Sequence, residues 1–434
     1  MIMITTHNHH TRGRFVRRRG WRIAVAVVAA ICCLTLTTSA LADALASARG
    51  VAMGGSISSL ATGVDAARCN PALLGLVAHQ ERGVELFGLA ADIHNNALTL
   101  NDYNTYNGTY LTTQDKADIL ARIPTEGLKA AMNVDASALS IALGSAVLAV
   151  EGVANADLNV SRAIIELMLN GNAIGDTINL DGSCANAVGY MAFGLSYGRP
   201  VYTLGTRQVA VGATVKYIRG LGVEQMVEHS GSLSTNTTGF AGAGSFIVQT
   251  STGGSGYTVD LGAAVKLSRT YTAGVSFKNF LSHISWSKQC EEHGYLFSFD
   301  NATVDNWDED EVVSEDYTID LDGFTSNLPS VMNIGFAKTG GRLLWSLAWE
   351  QGFRRAAGSS TTPRLSAGIE WPLLSILPLR TGFSTGGNNQ TAFALGAGLR
   401  LGSLHIDIAT ITGASLSPSS AKGTNLALST GLYF

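Results

Sequence analysis

Apolar and polar residues alternate along most of this chain, the period expected when side chains point to opposite faces of a strand. In 134–143, Leu139, Ile141 and Leu143 share one face, and Ala138, Ser140 and Ala142 the other. In 146–158, Ala146, Leu148, Val150, Gly152 and Ala154 oppose Glu151, Asn155 and Asp157. The pattern predicts strands near 84–93, 134–143, 146–158, 184–197, 207–218, 223–234, 239–250, 256–267, 271–280, 284–300, 313–321, 331–338, 342–352, 363–371, 379–386, 391–401, 403–411 and 424–434. Two stretches break it. Thr112 to Ile123 has a Thr cap, an acidic first turn and Ile119, Leu120 and Ile123 on one side, which predicts a short helix. Ser161 to Leu169 predicts a second, ended by Asn170-Gly171-Asn172. Asn101 to Gly108 is polar and is read as a turn.

One apolar face and one polar or small face suits a barrel with lipid outside and water inside. It suits a half-buried soluble strand equally well. Leu343 to Glu350, LLWSLAWE, puts Leu343, Trp345, Leu347 and Trp349 on one face. Tryptophan on an outward face near a charged strand end fits an interfacial girdle, or a paired core position in a sandwich.

Composition favours the barrel. Only 14% of the 434 residues are charged, against about 25% in ordinary soluble domains. Glycine is abundant at 49 residues and proline scarce at 8, and no linker divides the chain. About 350 residues, at about 25 per strand and loop, would make about 14 membrane-length strands. The net charge of −4 gives no reason to expect nucleic acid. Residues 1–42 resemble an export signal: Arg12, Arg14, Arg17, Arg18, Arg19 and Arg22, then apolar Ile23 to Leu36, then Ala40-Leu41-Ala42 as the cleavage site. Cys32 and Cys33 suggest lipoprotein processing, but Ile31 stands where a small residue is required. The arginine pairs need no twin-arginine pathway, since an ordinary basic leader explains them.

Candidate chemistry adds little. Cys69, Cys184 and Cys290 remain after cleavage, an odd number with no metal spacing. His79, His94, His229, His283, His293 and His405 show no ligand spacing either, so no metal and no cofactor are expected. Gly194-Leu195-Ser196-Tyr197-Gly198 matches the nucleophile-elbow string but lies within an alternating strand, where that elbow does not form, so no enzyme is expected. Ten acids between Asp300 and Asp322 read as a solvated loop, their order unlike a calcium-binding loop.

Two ends of the mature chain carry a resemblance. The last strand, NLALSTGLYF, has Leu426, Leu428, Thr430, Leu432 and Phe434 on one face. It resembles the C-terminal assembly signal of bacterial outer-membrane barrels, with Leu428, Leu432 and Phe434 as its residues. Near the other end, Arg49-Gly50, Met53-Gly54-Gly55, Asp65 and Asn70-Pro71-Ala72-Leu73-Leu74 resemble the N-terminal motif of FadL-like outer-membrane proteins, although Ser56 and Cys69 depart from the common residues. Lys216-Tyr217, Asp260-Leu261-Gly262, Lys278-Asn279, Leu379-Arg380 and the segment around Asp407 echo later strands of the same group. The block at 161–172 and the helix near 115–120 look most like PorV-like relatives, a branch associated with type IX secretion. The resemblance implies an all-β, antiparallel transmembrane barrel of about 14 strands over 81–434. It implies a hatch at 43–80, in which Arg49, Gly50, Met53, Gly54, Gly55, Asp65, Asn70 and Pro71 shape or gate the lumen. The implied address is the outer membrane, with lipid and the barrel assembly machinery as partners. The implied function is passage of hydrophobic or small molecules, or, alternatively, a PorV-like barrel holding a secreted or translocon protein.

Overall fold

In the computed structural model the described residues are 47–303, 312–356, 359–387, 391–413, 415 and 418–434. The export signal at 1–42 and the acids at 304–311 lie outside them.

The alternating segments form one closed antiparallel barrel. Its wall strands are β1 (Glu81–Asn95), β2 (Leu128–Gly144), β3 (Ala146–Val160), β5 (Cys184–Leu204), β6 (Arg207–Thr235), β8 (Gly253–Lys266), β9 (Tyr271–Lys288), β13 (Val331–Lys338), β14 (Leu344–Gly352), β15 (Arg364–Leu374), β16 (Leu377–Gly386), β17 (Thr391–Leu401), β18 (Leu404–Gly413) and β19 (Gly423–Tyr433). Each pairs with the next in that order, and β19 returns to β1 through Gly83↔Tyr433 to His94↔Gly423. The ring has 14 strands, as the length estimate predicted. Closure leaves none of these 14 wall strands at a sheet edge, the only way strands can cross lipid. One end of the barrel carries short hairpins, at 144–146, 204–207, 374–377 and 401–404. The other carries the longer connections, including helices Leu100–Tyr106, Thr113–Arg122 and Arg162–Asn170.

Side chains alternate as the sequence pattern requires. On β14, Leu347 points outward at 50% exposure, while Ser346 and Ala348 face in. Leu365, Leu395, Leu426 and Leu428 continue the outward apolar band. Tyr271 stacks on Phe336 and Trp345 meets both at steeper angles at the short-hairpin end, where an aromatic girdle is expected. Phe434, the last residue, is exposed beyond β19.

Three details differ from the sequence reading. Leu100–Tyr106 is a helix and not a turn, because Thr99 and Asp102 form a reciprocal capping box that offsets its polar composition. The segments 207–218 and 223–234 are one strand, β6, since Gly220 and Gly222 pair with Tyr190 and Gly189 of β5 across a register shift. The expected break near 281–283 is instead a bulge in β9, with Asn279 in the left-handed region at φ 49°, and the real break falls at Gln289. Beyond the wall, the second half of β6 pairs with β4 (Thr177–Asn179) and β7 (Phe240–Ser251), and β10 (Cys290–Ala302) and β11 (Val312–Leu321) extend that sheet. The short β12 (Phe324–Ser326) pairs with β9.

Candidate functional site: a lumen segment and the chamber beside it

Residues 47–80 fold into short helices, Ala48–Ala52, Ile57–Ser59, Gly63–Cys69, Pro71–Gly75 and Val77–His79, and pack against the inward faces of the wall. Local chemistry accounts for the turns. Ser47 caps the first helix by accepting from the Gly50 N–H at 3.2 Å. Gly54 and Gly55 reverse the chain at φ 66° and 83°, a conformation that costs a side chain-bearing residue strain. Asn70 caps Pro71–Gly75 through the Ala72 N–H at 3.1 Å, and Pro71 stands at the first position, where its missing donor costs nothing. Met53, Ile57, Leu60, Val64, Leu73, Leu74 and Leu76 are each at most 2% exposed, worth about 1.5–3 kcal/mol apiece.

The wall receives this segment on glycines. A Cβ on Gly198 or Gly212 would lie 2.5 or 2.4 Å from Pro71 backbone atoms, on Gly262 2.1 Å from the Asn70 side chain, and on Gly335 2.3 Å from Ser58. On Gly368 it would lie 2.6 Å from the Met53 carbonyl, on Gly382 2.2 Å from the Gly54 nitrogen, and on Gly396 2.5 Å from Ala52. These glycines follow the segment around seven wall strands, so its backbone lies where side chains would otherwise be. Asn70 Nδ2 donates to the Ala263 and Val275 carbonyls of β8 and β9, each at 3.3 Å.

Two arginines complete the attachment. Arg68 donates to both Glu85 oxygens at 2.7 and 3.0 Å and to Glu151 at 2.9 Å, with Asp65 at 3.6 Å. Lys216 extends this cluster, 3.6 Å from Glu151 and 3.1 Å from Asp260. Arg49 pairs with Glu370 at 2.9 Å and starts an alternating run: Glu370 to Arg380 at 2.7 Å, Arg380 to Asp407 at 2.6 Å, Asp407 to Arg400 at 3.0 Å. Burial works against the Arg68 charge, but Glu85 and Glu151 outweigh it and hold its pKa above the usual value. Burial pushes the Asp65 carboxyl up to about 6, with Arg68 pulling the other way. Burial lowers His79 to about 4, so it is neutral near pH 7, with Nδ1 2.8 Å from the Ala61 carbonyl and Nε2 3.3 Å from the Thr272 hydroxyl.

Beside the segment lies a cavity of about 490 Å³. Asp65, Arg68, Glu151 and Lys216 line it, with Asn133, Asn155, Asn186 and Gln225 from the wall. Lys278 and Asn279 reach it from the β9 bulge, and exposed Arg354 and Arg355 stand at it from the β14–β15 connection. Val188, Ile218, Val223, Leu328 and Val331 supply apolar surface.

All the expected N-terminal residues therefore meet the lumen. Met53, Gly54, Gly55, Asn70 and Pro71 sit at close contacts with the wall, Arg49 and Asp65 in its charge clusters, and Gly50 in the first helix, where its carbonyl accepts from the Gly55 N–H at 2.9 Å. Leu428 faces outward, and Leu432 is half-buried. Sequence reasoning missed Ser47, Arg68 and His79. Among the described residues no disulfide joins Cys69, Cys184 and Cys290, and Cys69 lies within the segment. Ser196 is buried on β5, its hydroxyl 2.8 Å from that of Thr214.

The profile of a family described as "Family of unknown function (DUF5723)" matches residues 81–410. No curated protein matches the chain. Among solved structures the barrel is similar to the P. putida toluene transporter TodX (TM-score 0.51, 15% identity, 90% of this chain and 99% of that one). It is also similar to the TodX monoaromatic hydrocarbon channel deltaS2 mutant (0.52, 15%, 89% and 98%) and to the Ralstonia pickettii toluene transporter TbuX (0.51, 14%, 90% and 99%). At these identities the likeness establishes a shared fold.

Proposed function

The chain belongs to the DUF5723 family, a description that carries no activity, and from its geometry we propose a hatch-gated outer-membrane barrel that admits a small amphipathic solute. Residues 1–42 direct export, 43–80 form the hatch, and 81–434 form the barrel. Leu428, Leu432 and Phe434 present the last strand to the assembly machinery, and the outward apolar band meets lipid. Short hairpins face the periplasm and long connections the exterior, the usual orientation of such barrels. Arg49, Met53, Gly54, Gly55, Asp65, Asn70 and Pro71 hold and shape the hatch and do not themselves carry chemistry. The alternative of a barrel holding a secreted protein draws no support from the hydrocarbon channels that share the fold.

The observation that carries the solute class is the chamber lining. Toluene transporters share this fold, yet here charged and amide side chains stand beside Val188, Ile218 and Leu328 in one cavity. A bare hydrocarbon engages only the apolar part of this lining, whereas an anionic head group on an apolar body also engages the exposed guanidinium groups of Arg354 and Arg355. Binding of octanoate, octylamine and 1-octanol to the purified barrel separates these cases, since the three share an apolar body. Octanoate is expected to bind about tenfold tighter than octanol, a difference of about 1.4 kcal/mol, and Arg355→Ala should narrow the gap. Equal binding of all three, or tightest binding of octanol, would reject the amphipathic-anion reading.

A further inference from the structure

A second polar cluster lies on the inner wall, at the edge of the chamber that Asn133 lines. Asp92 of β1 faces inward between its cross-strand neighbours, Asn133 of β2 and Asn425 of β19. Asp92 and Asn425 are 0% exposed and Asn133 2%. Asn133 Nδ2 donates to Asp92 Oδ2 at 2.9 Å, and His94 Nδ1 stands 3.4 Å from the same oxygen without hydrogen-bond geometry. Among the described residues, Asp92 Oδ1, Asn133 Oδ1 and both amide atoms of Asn425 have no hydrogen-bond partner, and His94 Nδ1 has only its contact with Asp92.

Each such buried atom costs about 1–3 kcal/mol, and a carboxylate oxygen more. Their concentration on three adjacent strands calls for a ligand. The set is rich in oxygen acceptors: one carboxylate and two amide carbonyls, from directly opposed positions whose Cβ atoms lie about 4.5–5.5 Å apart. Hard metal cations take such ligands. Asp92 and Asn425 meet no solvent, so an ion held between them sheds water on their side. A single carboxylate matches a single positive charge, and Arg364 meets Glu350 through Nη2 at 3.0 Å. We propose that Asp92, Asn133 and Asn425 bind a dehydrated monovalent metal cation at the β19–β1–β2 seam, where the first and last strands close the barrel. The ion ties the closing pair together from inside, with Asn133 shared between it and the chamber lining.

The test is thermal unfolding of the purified full barrel in sodium chloride against N-methylglucamine chloride at equal ionic strength, with a calcium chloride arm. The wild type should gain a saturable rise in midpoint with sodium, following the binding linkage, and Asp92→Asn should lose it. Should Asp92→Asn fail to fold, Asn425→Ala removes only a neutral ligand and should reduce the sodium effect. Equal midpoints in both salts, a full sodium effect in either variant, or a larger rise with calcium than with sodium would each overturn the assignment.

Discussion

Replacing Arg68 by alanine is expected to free the hatch while leaving the barrel wall intact. Arg68 is 7% exposed and Glu85 2%, and the guanidinium reaches Glu85, Glu151 and Asp65 together. Without it, Asp65, Glu85 and Glu151 share a buried space, with Lys216 still paired to Glu151. Removing one member of a buried ion cluster costs about 3–5 kcal/mol, because the remaining charges stay desolvated. Each wall strand keeps both its neighbours, so the loss falls on residues 47–80 as local opening. Hydrogen exchange in that segment should speed up by about 10²–10⁴-fold, the equivalent of about 3–5 kcal/mol. Exchange in β13 to β18 should not change. Unchanged protection of 47–80 in Arg68→Ala would show that the ion cluster does not hold the hatch.

Gly382→Val should unseat the other end of the hatch. The added Cβ would fall 2.2 Å from the Gly54 nitrogen and 2.3 Å from the Met53 carbonyl carbon. Both are backbone atoms, which no rotamer change can move aside. Overpacking a tight contact costs about 1–3 kcal/mol, and the valine methyls add to it. The chain from Ala52 to Gly55 must then lift from β16, and Arg49 with it. Trypsin cleavage after Arg49 reports this, and it should be faster than in the wild type. Gly152→Val is the matched control, since a Cβ there meets nothing within 4 Å and it also lies on a wall strand. Equal cleavage of the two variants would mean that the glycine seat is unnecessary.

The strands were legible because lipid and lumen impose a strict period of two, which survives in segments such as Leu344–Glu350 and Asn425–Phe434. The helix at Leu100–Tyr106 was not, because its capping box lies within a polar stretch that composition marks as a turn. The N-terminal motif stood out as a string, yet what it packs against lies hundreds of residues away. Gly368 and Gly382 look like ordinary strand glycines until Met53 and Gly54 lie against them. The same holds for the charges. Lys216, Asp260, Arg380 and Asp407 stood within the recognised strand echoes, and each proves to be an inward-facing ion-pair partner. A charge at an inward position of an otherwise apolar or small-residue strand was the available signal. Arg68 carried no such mark, since nothing in a short helix tells which wall carboxylate it will meet.

The central claim is that the segment at 47–80 gates passage through the lumen. The Ser56 and Ser346 hydroxyl oxygens lie 2.8 Å apart, buried between the hatch and β14. Cysteines at both positions, with Cys69, Cys184 and Cys290 replaced by alanine, are close enough for a disulfide. Octanoate uptake into proteoliposomes holding this variant should fall to the protein-free level on oxidation and recover on reduction. Uptake that is equally fast in the oxidised and reduced forms would contradict a gate built from the hatch.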